Sequence, residues 1–428
     1  MERDLKFNLL LGVTLAVAGC NGSEPPSGTA ALTPLDTTPS YAVVSSDFSS
    51  SSIAMLDESF DLIDESWLSS GTTYPGLVAT LSGDVVLPTR QADGQTFSVI
   101  DRFLTDVVTQ FFVPSGNLNG QVRTHGDIGD SGFSSNPQDL IVVASKSAWV
   151  PRYDSNFDPD APGENQGNDL FEIDPTDMTP TGARIDLSSL NTTAFVDAAP
   201  APIEVEVLAR PSRGVLIGST ILVGLDRISA AFDAAGPGMV AVVDLDRESV
   251  DGVELRDLAS CGRVVPVPGA PSKVAVACVG FSNPFNDEAQ LRASSGVAIL
   301  DVTADGVTTE RIWRVSGDDA SKRAVGSLIA LDAERVLAVS SGNFVDTSDT
   351  LYLIDLPSGT QTPVHVSAGS FTIGASAWDP DSEMLYVPDA AAGAVIELAW
   401  DGQSFTEVDS TQIAPGLGLP PTQVYLLN

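Results

Sequence analysis

A short hydrophobic strand that ends in an acid recurs along the chain, and this recurrence restricts the fold more than any other feature. Six copies are complete, and in a degenerate seventh the acid, Glu397, precedes Leu398. The copies occupy residues 53–57, 97–101, 170–174, 240–244, 297–301, 351–355 and 394–398. A second run of alternating apolar residues precedes each copy, and no amphipathic helix longer than two turns separates them. We predict an all-β chain built from one repeated unit, in which the acids are turn residues.

Seven units over residues 41–428 average about 55 residues each, enough for four short strands with their loops. Such a unit cannot bury both faces of its sheet alone, whereas units stacked around an axis bury them against one another. We therefore predict a single seven-bladed β-propeller of four-stranded blades over residues 41–428. A β-sandwich pair and an eight-bladed ring are the alternatives. Over this range the chain resembles the YVTN and quinoprotein-like propeller superfamily in architecture.

The two ends of the predicted propeller complement each other. Residues 422–427 form a strand that no unit uses, and the first unit, which begins at Tyr41, lacks an innermost strand. Pairing the two closes the ring and removes an open sheet edge. The C-terminal strand is therefore predicted to be the innermost strand of blade 1.

The first twenty residues have the pattern of an export signal. Arg3 and Lys6 precede an apolar run that is too short to span a bilayer, which needs about 20 residues. The run ends in residues 17–20, Val-Ala-Gly-Cys, which resemble the lipobox of bacterial lipoproteins. That resemblance implies a signal peptide over 1–19 and an acylated Cys20, and Asn21 after the cysteine implies the outer membrane or cell surface, with the periplasmic face as an alternative. A plain signal peptide with a chance cysteine is the competing interpretation.

Charge and composition exclude some partners. Residues 20–40, which include the cysteine, are rich in Pro, Gly, Ser and Thr and are predicted to tether the propeller to lipid. Lys and Arg number 21 against 57 Asp and Glu, so the formal net charge is −36. Phosphate backbones would be repelled, and a nucleic-acid partner is therefore excluded. An envelope protein or a polysaccharide is the partner expected besides the membrane.

Two cysteines remain once Cys20 is assigned to lipid. Cys261 and Cys278 flank a segment that reads as strand, turn and strand. If the turn is centred between Gly269 and Ala270, the two cysteines face each other across an antiparallel pair. A disulfide between them is predicted, with two buried thiols as the alternative.

Familiar catalytic motifs are absent from the sequence. The only histidines, His125 and His365, lie in different repeats, and no zinc-binding pattern or GxSxG nucleophile turn occurs. His125 is interpreted as a polar loop residue. No catalytic residue is therefore predicted, and no cofactor is required.

A long acidic loop in the third unit is the one candidate metal site. Its oxygen ligands could surround Ca²⁺, which takes six to eight of them. The predicted ligands are Asp154, Asn156, Asp158, Asp160, Glu164 and Asp169. The spacing does not fit an EF-hand, and a solvated acidic loop without an ion is the preferred interpretation.

Loops between the second and third strands of units three to six are predicted to share one rim of the propeller. Binding residues concentrate on such loops when a rigid scaffold carries them. The predicted binding residues are Asn156, Phe157, Phe232, Asn283, Phe285, Asn343 and Phe344.

Three functions are compatible with these features. The favoured one is a lipid-anchored, non-enzymatic scaffold that binds an envelope ligand through the rim loops. The alternative is a propeller enzyme, lactonase-like or sugar-dehydrogenase-like, with acids converging on a channel mouth that could hold Ca²⁺. The third is a lipoprotein that docks onto an outer-membrane assembly. A channel mouth crowded with convergent Asp, Glu, Asn and Arg side chains and holding a metal would favour the enzyme.

Overall fold

A computed structural model of the chain describes residues 32–91, 95–128, 132–197, 201–283, 287–315, 323–342 and 347–427. Within these ranges the chain forms thirty strands, one α-helix and two short 3₁₀ turns, Gly163–Asn165 and Ser188–Leu190. The strands are, in chain order, β1 (Tyr41–Ser46), β2 (Ser51–Leu56), β3 (Leu62–Ser69), β4 (Val85–Val86), β5 (Thr96–Asp101), β6 (Val107–Phe112), β7 (Leu118–Arg123), β8 (Ile141–Ala144), β9 (Ser147–Ser155), β10 (Gly167–Asp174), β11 (Thr179–Asp186), β12 (Thr192–Val196), β13 (Ile203–Val207), β14 (Pro211–Ile217), β15 (Thr220–Leu225), β16 (Gly238–Asp244), β17 (Ser249–Leu255), β18 (Arg263–Pro266), β19 (Lys273–Cys278), β20 (Gly296–Thr303), β21 (Gly306–Arg314), β22 (Leu328–Ala330), β23 (Arg335–Ser340), β24 (Thr350–Asp355), β25 (Thr360–Val366), β26 (Ala377–Asp379), β27 (Met384–Asp389), β28 (Ala394–Trp400), β29 (Phe405–Gln412) and β30 (Pro421–Leu426). The helix, α1, spans Glu288–Ala293.

Seven four-stranded antiparallel sheets form the blades of a propeller, as predicted, when the described strands are assigned by their pairing. Blades 2 to 7 each take four consecutive strands, starting from β4, β8, β14, β18, β22 and β26. Burial of apolar residues favours this ring of blades, because the second strand of each blade packs against both neighbouring blades. In β19 five of six residues are buried, whereas the outermost strand β29 is mostly exposed and polar.

Ring closure also follows the prediction. Blade 1 has the order β3-β2-β1-β30, so the C-terminal strand pairs with the first one. Tyr41 lies opposite Leu426, and Val43 lies opposite Val424. The packed chain begins before Tyr41, since Leu32 and Leu35 are buried in the apolar cluster shared by blades 1 and 2.

The repeat marks the third strand in every blade except blade 2. There, residues 97–101 belong to β5, which is the second strand, and the third strand β6 ends in Phe112. Asp101 is consequently buried instead of capping an exposed turn. It accepts hydrogen bonds from the backbone N–H and hydroxyl of Ser82, yet burial raises its pKa above the ordinary value. The acids after third strands do cap turns, as in Asp57 with Ser59 and Asp61.

One element was not predicted. Strands β12 and β13 pair as a separate hairpin between blades 3 and 4. None of the helices in the described residues has the length and apolar character needed to cross a bilayer.

Candidate functional site

The mouth of the central channel gathers polar side chains from blades 2 to 5. The loops that join second to third strands, and one blade to the next, emerge at this end of the ring. They surround a cavity of about 330 Å³, the mouth cavity. The polar side chains that line it are those of Arg102, Asn136, Gln138, Tyr153, Ser212, Asp226 and Arg263.

Asp226 is the acid at the centre of this cavity. It directly follows β15, and its carboxylate accepts hydrogen bonds from the Tyr153 hydroxyl and the Gly262 backbone N–H. Burial nevertheless raises the pKa of Asp226 above its ordinary value, because burial outweighs these hydrogen bonds and the attraction of Arg263 and Arg210. The pKa of Tyr153 is also raised, first by burial and then by the Asp226 charge, so its phenol stays protonated and donates. A carboxylate with a raised pKa in a cleft is suited to take and return a proton.

Arg263, the first residue of β18, faces Asp226 across the cavity. Its side chain is open to the channel, while the surrounding walls lower its pKa below the ordinary arginine value. Among the described residues, no hydrogen-bonding or ion-pair partner holds its guanidinium, although Asp226 attracts it. A guanidinium that lines a cavity and is free of protein acceptors is available to a ligand oxygen.

Two further arginines lie near Arg263 and are already paired. Arg102 contacts Asp84 at 2.5 Å and donates to the side-chain oxygen Oε1 of Gln138 at 3.3 Å. Arg213 lies 3.6 Å from the fully buried Asp139 and donates to the Leu87 carbonyl at 2.6 Å. Burial, together with weaker repulsion from Arg263 and Arg102, lowers the pKa of Arg213 to about 10 although Asp139 opposes the shift. Each of these two arginines is thus balanced by an acid, and Arg263 is the cation of the mouth without a salt-bridge partner among the described residues.

A chain of hydrogen bonds joins the mouth to the rim. Gln138 donates to the side-chain oxygen of Asn136 at 2.7 Å, and Asn136 donates to Asp154 at 2.9 Å. Asp154 in turn pairs with Arg210 at 2.6 Å. These contacts fix the wall between the mouth and the rim loops.

The predicted calcium ligands do not converge. Asp154 is paired with Arg210, and the buried Asp169 binds Arg152 at 2.6 Å and Arg184 at 2.8 Å. The remaining predicted ligands, Asn156, Asp158, Asp160 and Glu164, lie along the loop, where Asp158 caps the N–H of Asp160. In the part of the chain that the structure describes, no three His, Cys, Asp or Glu side chains form a group able to hold a metal. Calcium binding by this loop stays a prediction.

The predicted binding rim is brought together in part. Asn156, Phe157 and Phe232 line one cavity of about 760 Å³ beside the mouth, the rim cavity. Asn283 links the loops of blades 4 and 5 by donating to the Asp233 carbonyl at 2.7 Å. The other predicted residues lie outside the described ranges, namely Phe285, Asn343 and Phe344.

Neither histidine lines the mouth cavity. His125 contacts the Gly126 carbonyl oxygen through Nδ1 at 2.6 Å and lies 3.8 Å from Asp106, and His365 pairs with Asp389 at 2.8 Å. Sequence motifs missed Asp226, Arg263 and Tyr153 because these residues come from different blades and share no local spacing. One signal was present, since an Asp-Arg pair stands at the end of the second strand in blades 2 and 4, at 101–102 and 226–227.

The predicted disulfide lies next to residues that line the mouth cavity. Cys261 and Cys278 are bonded at 2.03 Å and are fully buried. The register is one residue from the predicted one, since Arg263 lies opposite Ala277 and the two cysteines are not directly opposed. The bond ties Gly262 and Arg263 to the end of β19, so it holds two of the groups that face Asp226.

Replacing both cysteines with alanine is expected to lower the free energy of unfolding by about 3 kcal/mol, the value for a loop this short. Urea denaturation of the double variant and the wild type under non-reducing conditions measures the difference. Reduction of the wild type should reproduce the shift in midpoint. Equal midpoints would show that the disulfide does not stabilise the fold.

Solved propellers share this fold at low sequence identity. A Bacteroides fragilis protein provisionally named a 6-phosphogluconolactonase has a TM-score of 0.55 and 10% identity, over 92% of this chain and 99% of its own. A periplasmic gluconolactonase of Pseudomonas aeruginosa has a TM-score of 0.51 and 13% identity, over 91% and 98%. A hypothetical selenium-binding protein of Sulfolobus tokodaii has a TM-score of 0.54 and 9% identity, over 92% and 96%. No protein-family model matches the sequence, and no curated protein matches it.

The expectation of a non-enzymatic scaffold is wrong. Propellers that superpose on nine-tenths of the chain are named as lactonases, and this finding favours the alternative enzyme. The mouth meets part of the criterion stated for that alternative, because Asp226, Arg263 and Asn136 line it together.

Proposed function

We propose that the protein hydrolyses a sugar lactone at the channel mouth. The observation that carries this proposal is the placement of Asp226, whose pKa is raised, opposite the unpaired Arg263. Ester hydrolysis needs a base for water and a cation for the oxyanion, and these two residues supply both. The names of the structural neighbours support a lactone as the ester.

The reaction uses Asp226 twice. Its carboxylate takes a proton from a water molecule as the water oxygen attacks the lactone carbonyl carbon. The carbonyl oxygen becomes an oxyanion, and the Arg263 guanidinium stabilises it. The bond from this carbon to the ring oxygen then breaks, and protonated Asp226 gives its proton to that oxygen. The products are a free hydroxyl and a carboxylic acid, which ionises at neutral pH.

Tyr153 and Gly262 are positioning residues in this scheme. Both donate hydrogen bonds to the Asp226 carboxylate and hold it toward the cavity.

Proton release from D-glucono-1,5-lactone tests the proposal directly. A pH-stat records acid formation with and without the purified chain, because the lactone also opens slowly by itself. A rate proportional to protein concentration and saturable in lactone is expected. A rate equal to that of buffer alone for this and other aldonolactones would refute the proposal.

Activity is expected to fall as the pH decreases, because the base form of Asp226 is lost on protonation. Since burial raises the folded-state pKa of Asp226, the acidic limb of kcat/KM should have its midpoint above the ordinary value of 3.8. A pH series corrected for spontaneous hydrolysis measures it. A midpoint at or below 3.8 would contradict the role of Asp226.

We also propose an envelope location with lipid at Cys20 and a place in the YVTN-like propeller group. The lipobox-like residues 17–20 support the anchor, and the periplasmic neighbour supports the compartment. Radiolabelled palmitate should be incorporated by the wild type and not by Cys20→Ser. Equal labelling of both would contradict lipidation at this cysteine.

A further inference from the structure

The rim cavity lies directly beside the mouth cavity. Asn136 lines both cavities, and Arg102 and Tyr153 of the mouth are chain neighbours of Phe103 and Asp154 of the rim. The wall between them is the hydrogen-bonded series from Arg102 through Gln138 and Asn136 to Asp154. Because Asn136 lines both cavities, a ligand that passes over this residue can occupy the two cavities at once.

Phenylalanines from three different blades face the rim cavity. Phe103, Phe157 and Phe232 are 53%, 67% and 58% exposed, although each belongs to a different loop between second and third strands. Phe133 contributes a fourth, buried ring to the same cavity. Large apolar side chains that gather on an exposed surface are typical of a binding site.

Polar groups lie between these rings. Asp154 and Asp158 bring carboxylate oxygens, and Asn156 brings an amide. A pyranose ring matches this lining, because its C–H faces are apolar and its hydroxyls project around its edge. The carboxylates disfavour an anionic group here, and the guanidinium of Arg210 is already paired with Asp154 at 2.6 Å. The lining therefore fits a neutral sugar.

Arg210 stacks on two aromatic rings beside the rim cavity. Its guanidinium carbon lies 4.4 Å from the ring centre of Phe232 and 4.9 Å from that of Tyr153. The side chain of Arg210 is 3% exposed and paired with Asp154, so a buried cation supports the exposed Phe232 ring from one face. A ring fixed before binding loses little conformational entropy when the ligand arrives.

We propose that the rim cavity binds a neutral pyranose glycosidically linked to the lactone ring. This inference rests on the proposed lactone hydrolysis and names its substrate class, the aldonolactones of disaccharides. The lactone ring occupies the mouth at Asp226 and Arg263, and the neutral sugar lies between Phe157 and Phe232. Glucono-1,5-lactone alone fills only the mouth.

The test compares cellobiono-1,5-lactone with glucono-1,5-lactone in the wild type and in Phe103→Ala/Phe157→Ala, which leaves the stack of Phe232, Arg210 and Tyr153 intact. The wild type is expected to have a kcat/KM at least about tenfold higher for the disaccharide lactone, and the double variant to lose that advantage while keeping the glucono-1,5-lactone rate. Phe48→Ala, which removes a ring that is 80% exposed on blade 1, is the matched control and should retain the advantage. Equal urea midpoints confirm folding, since both replaced rings are largely exposed.

Two outcomes separate this inference from the proposed function. Turnover of both lactones with equal kcat/KM overturns the sugar subsite and leaves lactone hydrolysis standing. If neither lactone is hydrolysed, the proposed function is overturned. Calorimetry with cellobiose then shows whether the rim cavity binds a neutral sugar. Binding that the double variant loses supports the subsite, and absence of binding overturns it. Preference for an acyl-homoserine lactone over the disaccharide lactone would also overturn it, since an apolar chain would then be the occupant.

Discussion

Asp226→Asn is expected to lower kcat for lactone hydrolysis by about 10²–10⁴-fold, the usual contribution of a positioned general base. Asparagine keeps the shape of the side chain and its hydrogen bonds from Tyr153 and Gly262, but it cannot take the proton of the attacking water. The acidic limb of the pH profile should vanish together with the activity. Saturation kinetics in a pH-stat measure both effects.

Stability should respond in the opposite direction to activity. Burial raises the pKa of Asp226, so the folded state disfavours its ionised form at neutral pH. That penalty is absent below the unfolded-state pKa, grows between the unfolded-state and folded-state pKa values, and is complete above the folded-state pKa. The asparagine variant should therefore unfold at a temperature no lower than the wild type at pH 7. A matched control is Asp401→Asn, an exposed turn residue of blade 7, which should retain full kcat.

Arg263→Gln is expected to lower kcat by about 10²–10³-fold, the loss seen when one oxyanion donor is removed. The charge acts most strongly once the carbonyl oxygen becomes an oxyanion, so kcat should fall more than KM rises. The matched control is Arg256→Gln, which removes the same charge from a side chain that is 82% exposed. Similar losses in both variants would mean that overall charge, and not the position of Arg263, determines the rate.

The fold could be predicted because its cause is repeated in the sequence. Each blade must bury both faces of its second strand, and this requirement recurs as an apolar run in every unit. Closure was predictable because β30 and Tyr41 complement each other at the chain ends. The hairpin of β12 and β13 was missed because it lies outside the repeat.

Local geometry was predicted less accurately than pairing. The disulfide is present, but the strands around Cys261 and Cys278 are in a register one residue from the expected one. In blade 2 the repeat falls on the second strand, β5, which ends at Asp101. The third strand, β6, ends at Phe112 and carries no acid at its end. A pattern of short strands fixes which elements exist and leaves single-residue shifts open.

The site could not be predicted from local motifs. Tyr153, Asp226 and Arg263 lie on blades 3, 4 and 5 and meet only when the ring closes. Burial then changes their proton affinities, and sequence alone gives no burial at a channel mouth. Two predicted calcium ligands of the acidic loop, Asp154 and Asp169, pair with the buried arginines Arg210 and Arg152, which the sequence does not indicate. No local motif contains these three residues, and the sequence alone therefore favours a scaffold without catalytic residues.

A crystal structure of the protein with gluconate, the product of glucono-1,5-lactone, tests the central claim most directly. The account predicts the gluconate carboxylate at the channel mouth, with one oxygen about 2.7–3.1 Å from the Arg263 guanidinium and the carboxylate next to Asp226. Binding should disappear in Arg263→Gln. Gluconate bound elsewhere on the propeller, with the mouth occupied by solvent alone, would contradict it.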